Sequence, residues 1–239
     1  SSRNVGLRWN RELDSERMTF SLGIFNDWWL ADIPLGESGT QVALRVTRLV
    51  WEDGDARYFH VGGGYRYNGA DNDTMRYKGR PESNVTDNYV DTGNFPASHG
   101  NHFSLEALWN DGAYSVMTEY VMANVSTAEE NDPSFYGTYV TLGWVLGGAP
   151  RHYDKKVGYA RRVLHTTRWG ALELVARFGI LDLDSATIRG GYLTKWYGGA
   201  NWWATRRWRL SVGFGRAELD RLGEVGHTNQ LVNRIQWIF

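Results

Sequence analysis

The feature that most constrains this chain is a two-residue alternation of apolar and polar side chains, repeated along its length. Residues 17–26 place Met18, Phe20, Leu22 and Ile24 on one face and Thr19, Ser21 and Gly23 on the other. Residues 102–109 set Phe103, Leu105, Ala107 and Trp109 against His102, Ser104 and Glu106. The same pattern runs through 171–182 and 208–215. Period two belongs to extended strands, and no long window shows helical period. It predicts about twelve strands: 4–13, 17–26, 40–52, 57–67, 74–80, 102–110, 114–124, 138–146, 170–182, 191–203, 207–217 and 228–239. Turn residues separate them at Asp14-Ser15-Glu16, Asp53-Gly54-Asp55, Asn110-Asp111-Gly112 and Asp184-Ser185.

Composition decides where such strands sit. The 239 residues include 12 Trp, 13 Tyr and 9 Phe, yet mean hydropathy is −0.48. Rings with an apolar body and a polar tip suit a membrane–water interface, and a strand with one wet face keeps the average hydrophilic. Several strands have the ~9–11 residues a tilted bilayer-crossing strand needs. The fold class is therefore all-β, a transmembrane antiparallel up-and-down barrel. No apolar run reaches the ~20 residues of a spanning helix. Zero Cys excludes disulfides, thiolate metal sites and a thiol nucleophile, and a net charge of −1 argues against a nucleic-acid partner. Acidic turns at Asp53-Gly54-Asp55 and Asp71-Asn72-Asp73 do not continue as calcium loops, and the histidines lack ligand spacing. No cofactor or metal is expected. The chain opens on Ser1-Ser2-Arg3-Asn4 without an apolar leader, which reads as a mature or trimmed product, and no linker divides 1–239, which reads as one domain.

If the apolar face meets lipid, the opposite face lines a lumen. Parity then turns ten cations inward: Arg8, Arg45, Arg66, Arg76, Lys78, Arg80, Arg177, Lys195, Arg209 and Arg234. Only Glu12, Glu106, Glu119 and Glu173 accompany them. The compensating acids lie in turns and loops, among them Asp53, Asp55, Glu129 and Glu130. A positively lined channel concentrates anions. Within this set Arg76, Lys78 and Arg80 recur every second residue, ~6.5–7 Å apart along one face. Such a row reads as a ladder of successive anion sites, or as a solvated cationic face that gives only mild bias. The connections 81–101 and 147–169 are long enough to fold inward and narrow a pore, or to cover a rim. Counting back from Phe239, the turns at 204–207, 110–113 and 68–73 fall on the periplasmic side, and so does 147–169.

The stretch Arg76-Tyr77-Lys78-Gly79-Arg80-Pro81-Glu82-Ser83, continuing through Asp87-Asn88-Tyr89-Val90-Asp91-Thr92-Gly93, resembles the phosphate-selective porin (O/P porin) family. Gly112–Tyr120, Asp132-Pro133-Ser134-Phe135 through Arg151-His152-Tyr153-Asp154, and Gly170–Asp182 are similar to the same family, in the same order. The chain's end, Ile235, Trp237 and Phe239 on one face, resembles the closing strand of bacterial outer-membrane barrels. The resemblance implies a homotrimeric channel for phosphate-like anions in the outer membrane, in contact with its lipid and lipopolysaccharide, with an arginine ladder. Family barrels have sixteen strands, and twelve here begin about four strands in. The resemblance thus implies a C-terminal part of a larger barrel or a smaller relative.

The residues support an anion-preferring porin without enzymatic chemistry, with Arg76, Lys78 and Arg80 as the anion ladder and Arg8, Arg45, Arg66, Arg177 and Arg209 as further lumen cations. Two other readings stand beside it. A barrel can serve as a scaffold for partners. Barrel phospholipases carry a His–Ser pair two residues apart, the spacing of His102 and Ser104, but parity turns this pair to the lumen and away from lipid.

Overall fold

A computed structural model describes residues 4–26, 39–54, 56–82, 86–128, 131–147, 150–163, 167–185 and 187–238. Its frame is one antiparallel sheet of eleven strands. They are β1 (Val5–Leu13), β2 (Met18–Asn26), β3 (Thr40–Glu52), β4 (Arg57–Gly69), β5 (His99–Asp111) and β6 (Tyr114–Ser126). There follow β7 (Ser134–Leu146), β8 (Ala171–Ser185), β9 (Ile188–Trp203), β10 (Trp208–Arg221) and β11 (Glu224–Trp237). Each strand pairs with the next in sequence, an up-and-down meander. The sheet is not closed: β1 and β11 are its edges. In an antiparallel meander of eleven, first and last strands run the same way, so they would meet in parallel register and not in the antiparallel ladder used everywhere else.

Alternation sets the two faces. Arg8, Gly23, Ala43 and Arg66 follow one another across β1–β4 in direct register. Glu173, Asn201 and Ser211 do so across β8–β10. The opposite face exposes Leu7 at 85%, Leu105 at 66% and Leu231 at 72%, values proper to a surface that meets hydrocarbon rather than water. Tight turns fix the registers. Leu222 (φ 56°) and Gly223 (φ 82°) make the two-residue link between β10 and β11, whose handedness matches strand twist.

Three expectations need correction. Residues 74–80 are not a strand of the large sheet. β4 pairs directly with β5 from Arg57–Asp111 to Gly69–His99, which leaves no place between them. The expected strand 74–80 is instead part of a connection, 70–98, that folds back on itself: Thr74–Met75 pairs with Phe95–Pro96, and Lys78–Gly79 with Val90–Asp91. Second, several strands outrun their apolar pattern, such as β5 beginning at His99 and β11 at Glu224, because backbone pairing continues through polar and glycine positions. Third, removing 74–80 moves the 68–73 turn to the end opposite 110–113 and 204–207, while 14–17 and 53–56 join that short-turn end. Phe239, Asp55, Ser83, Glu129 and Glu130 lie outside the described residues.

Both long connections cover the inner face, and apolar packing holds them there. Met75, Val90 and Phe95 of 70–98 bury against Ala123 and Val125 of β6, Phe135 of β7, Leu183 of β8, Leu193 of β9 and Ala217 of β10. From the other end, Val163 packs on Val145, Ala171 and Trp203, and Tyr153 and Ala160 on Leu49, Tyr58 and Leu108. Fully burying such side chains is worth about 1.5–3 kcal/mol each for the larger ones.

Candidate functional site

The straps sort the inward cations into those that hold structure and those that face open space. Arg45 belongs to the first group. Its Nε lies 3.1 Å from Glu106 Oε1, and its terminal nitrogens donate to the carbonyls of Val157 (3.0 Å) and Gly158 (2.7 Å). Glu106 also meets His60 Nε2 at 3.0 Å, and His60 Nδ1 meets the Tyr153 hydroxyl at 2.6 Å. A neutral His60 satisfies both contacts if Nε2–H donates to the carboxylate and Nδ1 accepts from the phenol. Gly62 makes room for this arrangement: a Cβ there would stand 2.5 Å from Glu106 Oε1. Gly62 and Gly64, where a Cβ would stand 2.6 Å from Ser104 Oγ, thus serve close approach. A parallel clamp joins Arg151 of the strap to Glu173, whose second oxygen accepts from Asn201 Nδ2 at 3.1 Å.

The second strap is fastened similarly. Arg76 forms a two-nitrogen pair with Asp91 across the short ladder. Lys195 of β9 meets Glu82 at 3.2 Å, and Arg221 of β10 donates to the Asp91 carbonyl at 2.7 Å. Tyr77, between Arg76 and Lys78, points the other way: its hydroxyl meets His102 Nε2 at 2.9 Å and its ring packs on Phe95 and Phe135. Burial pushes the Tyr77 phenol up to about 12. With Tyr77 anchored, alternation turns Arg76, Lys78 and Arg80 to the exposed side of the strap. Parity pictured these three as rungs on the barrel wall. They stand instead on a strap inside it.

Asp91 supplies a pH test. The Arg76 hydrogen bonds, helped by the Gly93 amide, hold its carboxyl at about 2, below the ordinary 3.8. A depressed carboxylate stabilises fully above the ordinary value and loses that contribution as pH falls through the folded value. The strap is expected to stay fastened from neutrality to about pH 4 and to loosen toward pH 2. Asp91→Asn imitates the acid form at pH 7. Its expected result is several-fold faster tryptic cutting at Arg76 and Lys78, the Arg80–Pro81 bond being resistant to trypsin in either form; equal rates in variant and wild type would remove the clamp.

Arg8, Arg66, Arg177 and Arg209 have no ion pair among the described residues. Arg66 donates to Gln41 Oε1, and with Arg76 and Lys78 it lines one cleft of about 400 Å³ at the 70–98 end. Arg8 bonds Asn10 (2.8 Å) and Ser21 (3.2 Å). Deeper, the Arg177 guanidinium lies over the Tyr139 ring at 4.1 Å and Arg209 over Trp203 at 4.9 Å. Neither has a carboxylate partner among the described residues, and the Nε of each is buried without one. An aromatic face attracts the cation without neutralising it, so the outer N–H groups keep their charge and direction.

Parity therefore locates Arg8, Arg45, Arg66, Arg177 and Arg209 on the inner face, but not their roles. Arg45 fastens a strap, and Arg76, Lys195 and Arg45 are all ion-paired, which trims the cationic excess. His102 and Ser104 share the inner face without forming a pair: His102 engages Tyr77 and the Arg66 carbonyl (3.3 Å). Sequence reasoning missed His60, Tyr77, Asp91, Tyr139, Tyr153 and Trp203. One signal existed: apolar residues at lumen parity near strand ends, such as Ala123, Val125 and Leu193, which only a strap could cover.

A relative in Caulobacter vibrioides, named only as an uncharacterized protein, is 27% identical over 146 residues, 59% of this chain and 29% of the relative. The match thus spans under a third of that relative's length. The family described as phosphate-selective porin O and P matches residues 1–239, the whole chain. With an all-β meander, a lipid-type outer face and straps folded over a basic inner face, the chain belongs to this family of outer-membrane porins of Gram-negative bacteria.

Proposed function

We propose that residues 1–239 form wall and constriction of a passive outer-membrane channel that prefers anions, with phosphate or a similar oxyanion as its solute, and that the assembled protein is a homotrimer. The observation that carries the reading is the cleft where Arg66 and Lys78 converge beside the Arg76–Asp91 pair. Arg66 and Lys78, from two separate elements and without an ion pair among the described residues, face one space of about 400 Å³ beside the Arg76–Asp91 pair and Asp71, and two such cations at one point draw anions more than a dispersed excess would. Arg177, then Arg209, offer the next open guanidinium groups along the inner face. A row of weak sites passes an ion on without trapping it. Lys78 contributes a point charge where arginine would offer a planar fork, so it attracts without orienting.

The test separates charge from scaffold. Arg66→Gln with Lys78→Gln leaves the Arg76–Asp91 clamp intact. In planar bilayers under a salt gradient, the anion-to-cation permeability ratio is expected to fall by about threefold or more, with weaker phosphate block of chloride current. Unchanged reversal potentials would sink the cleft as the entry site.

A further inference from the structure

The outer face carries a hollow that lumen chemistry does not use. Where β7, β8, β9 and β10 run side by side, Leu142, Ala176, Gly198 and Phe214 stand in one row. Val140, Phe178, Trp196 and Arg216 form the next row toward the 70–98 end. Small residues therefore sit side by side among large ones. Phe178 and Trp196, with ring centroids 4.3 Å apart, make one wall, and Phe214 and Leu142 the flanks. The resulting space is about 410 Å³ and almost wholly apolar. Nothing lies within 4 Å of where a Gly198 Cβ would stand, so the floor is open. Ala200, in the following row on the same face, continues it downward.

Polarity along β10 says what fills it. The outward residues Trp208, Leu210, Val212 and Phe214 are apolar; Arg216, Glu218 and Asp220 beyond them are charged. The edge of the hydrocarbon band thus falls between Phe214 and Arg216, directly above the hollow. Arg216 holds Glu218 only through Nε, at 2.9 Å, so its terminal nitrogens stay available to a second acceptor. A phosphate at that level would place its acyl chain over Gly198 and Ala200. This end carries the 70–98 and 127–133 connections and the two-residue link 222–223. The other end carries the turns 14–17, 53–56, 112–113 and 204–207, where the last strand also ends, together with the long connection 147–170. On the predominance of short turns there, the 70–98 end is taken as the exterior one.

We propose that this hollow seats one acyl chain of a phosphorylated, multiply acylated glycolipid of the outer leaflet, with its phosphate on Arg216. The inference rests on the family's outer-membrane location and not on anion selectivity.

The experiment is native mass spectrometry of the purified protein with defined bisphosphorylated, hexa-acylated lipid A, its dephosphorylated form, and phosphatidylglycerol. Expected is a retained lipid A adduct, lowered at least tenfold by Gly198→Leu and by Ala176→Leu, which fill the hollow from two strands. Arg216→Gln is expected to abolish the preference for phosphorylated over dephosphorylated lipid A. Retention undiminished in both filled variants, or phosphatidylglycerol held as well as lipid A, would overturn the proposal. Bilayer conductance of the filled variants, expected unchanged, keeps this result separate from the channel reading.

Discussion

Glu106→Gln is expected to raise single-channel conductance several-fold and to expose Lys155 and Lys156 to trypsin. Glu106 is the pivot of the strap that carries Tyr153, Val157 and Gly158. It binds Arg45, which in turn holds the carbonyls of Val157 and Gly158, and it binds His60, which holds Tyr153. A glutamine keeps the shape but presents N–H groups to a guanidinium that can only donate. Breaking a fully buried ion pair costs ~3–5 kcal/mol. Here the side chains are 31% and 22% exposed, so water recovers part of that, and roughly 1–3 kcal/mol is the fair scale. Such an energy shifts the fastened-to-released ratio by about 5- to 150-fold. Residual packing of Tyr153 and Ala160 on Leu49, Tyr58 and Leu108 opposes release, which is why the effect on conductance is several-fold rather than complete. Unaltered conductance together with unaltered trypsin cutting would show that the Arg151–Glu173 and Lys155–Glu52 pairs and the apolar packing hold the strap without Glu106.

The same network marks what could and could not be read from the chain. Parity identifies the inner face, because a period of two admits only two choices and lipid decides between them. It carries no information on depth or on partners across the lumen. Arg45 and Glu106 lie on strands separated by β4, and Gly62 is the gap that lets them meet. The 74–80 stretch failed for a related reason. Met75 and Tyr77 against Arg76 and Lys78 alternate as a barrel strand would, yet the apolar side meets buried protein and the charged side meets water. Alternation reports that the two sides differ, not which medium each side sees. The inner-face residues Leu183, Leu193 and Ala217 were the counter-evidence: apolar side chains have no reason to line open water, so something had to cover them.

Arg177 tests whether open charge, rather than total charge, sets selectivity. It is inward, near the middle of β8, and stacked on Tyr139 without a carboxylate partner among the described residues. Arg177→Gln is expected to lower the anion-to-cation permeability ratio by about three- to tenfold, because a charge in a narrow, partly desolvated space acts at a low effective dielectric and escapes much of the salt screening that quenches surface charges. Arg45→Gln removes the same formal charge, but its field is already cancelled by Glu106, so its effect on the ratio is expected to be much smaller even as it loosens the strap. Arg177→Lys separates charge from geometry. It keeps the charge and loses the flat stack and the forked donors. Chloride selectivity should then persist while phosphate block weakens, since an oxyanion gains from two parallel N–H bonds and a spherical ion does not. If glutamine at 177 leaves the reversal potential where it was, conduction does not pass this guanidinium. If lysine costs nothing in phosphate block, the aromatic support of Tyr139 orients nothing that the solute uses.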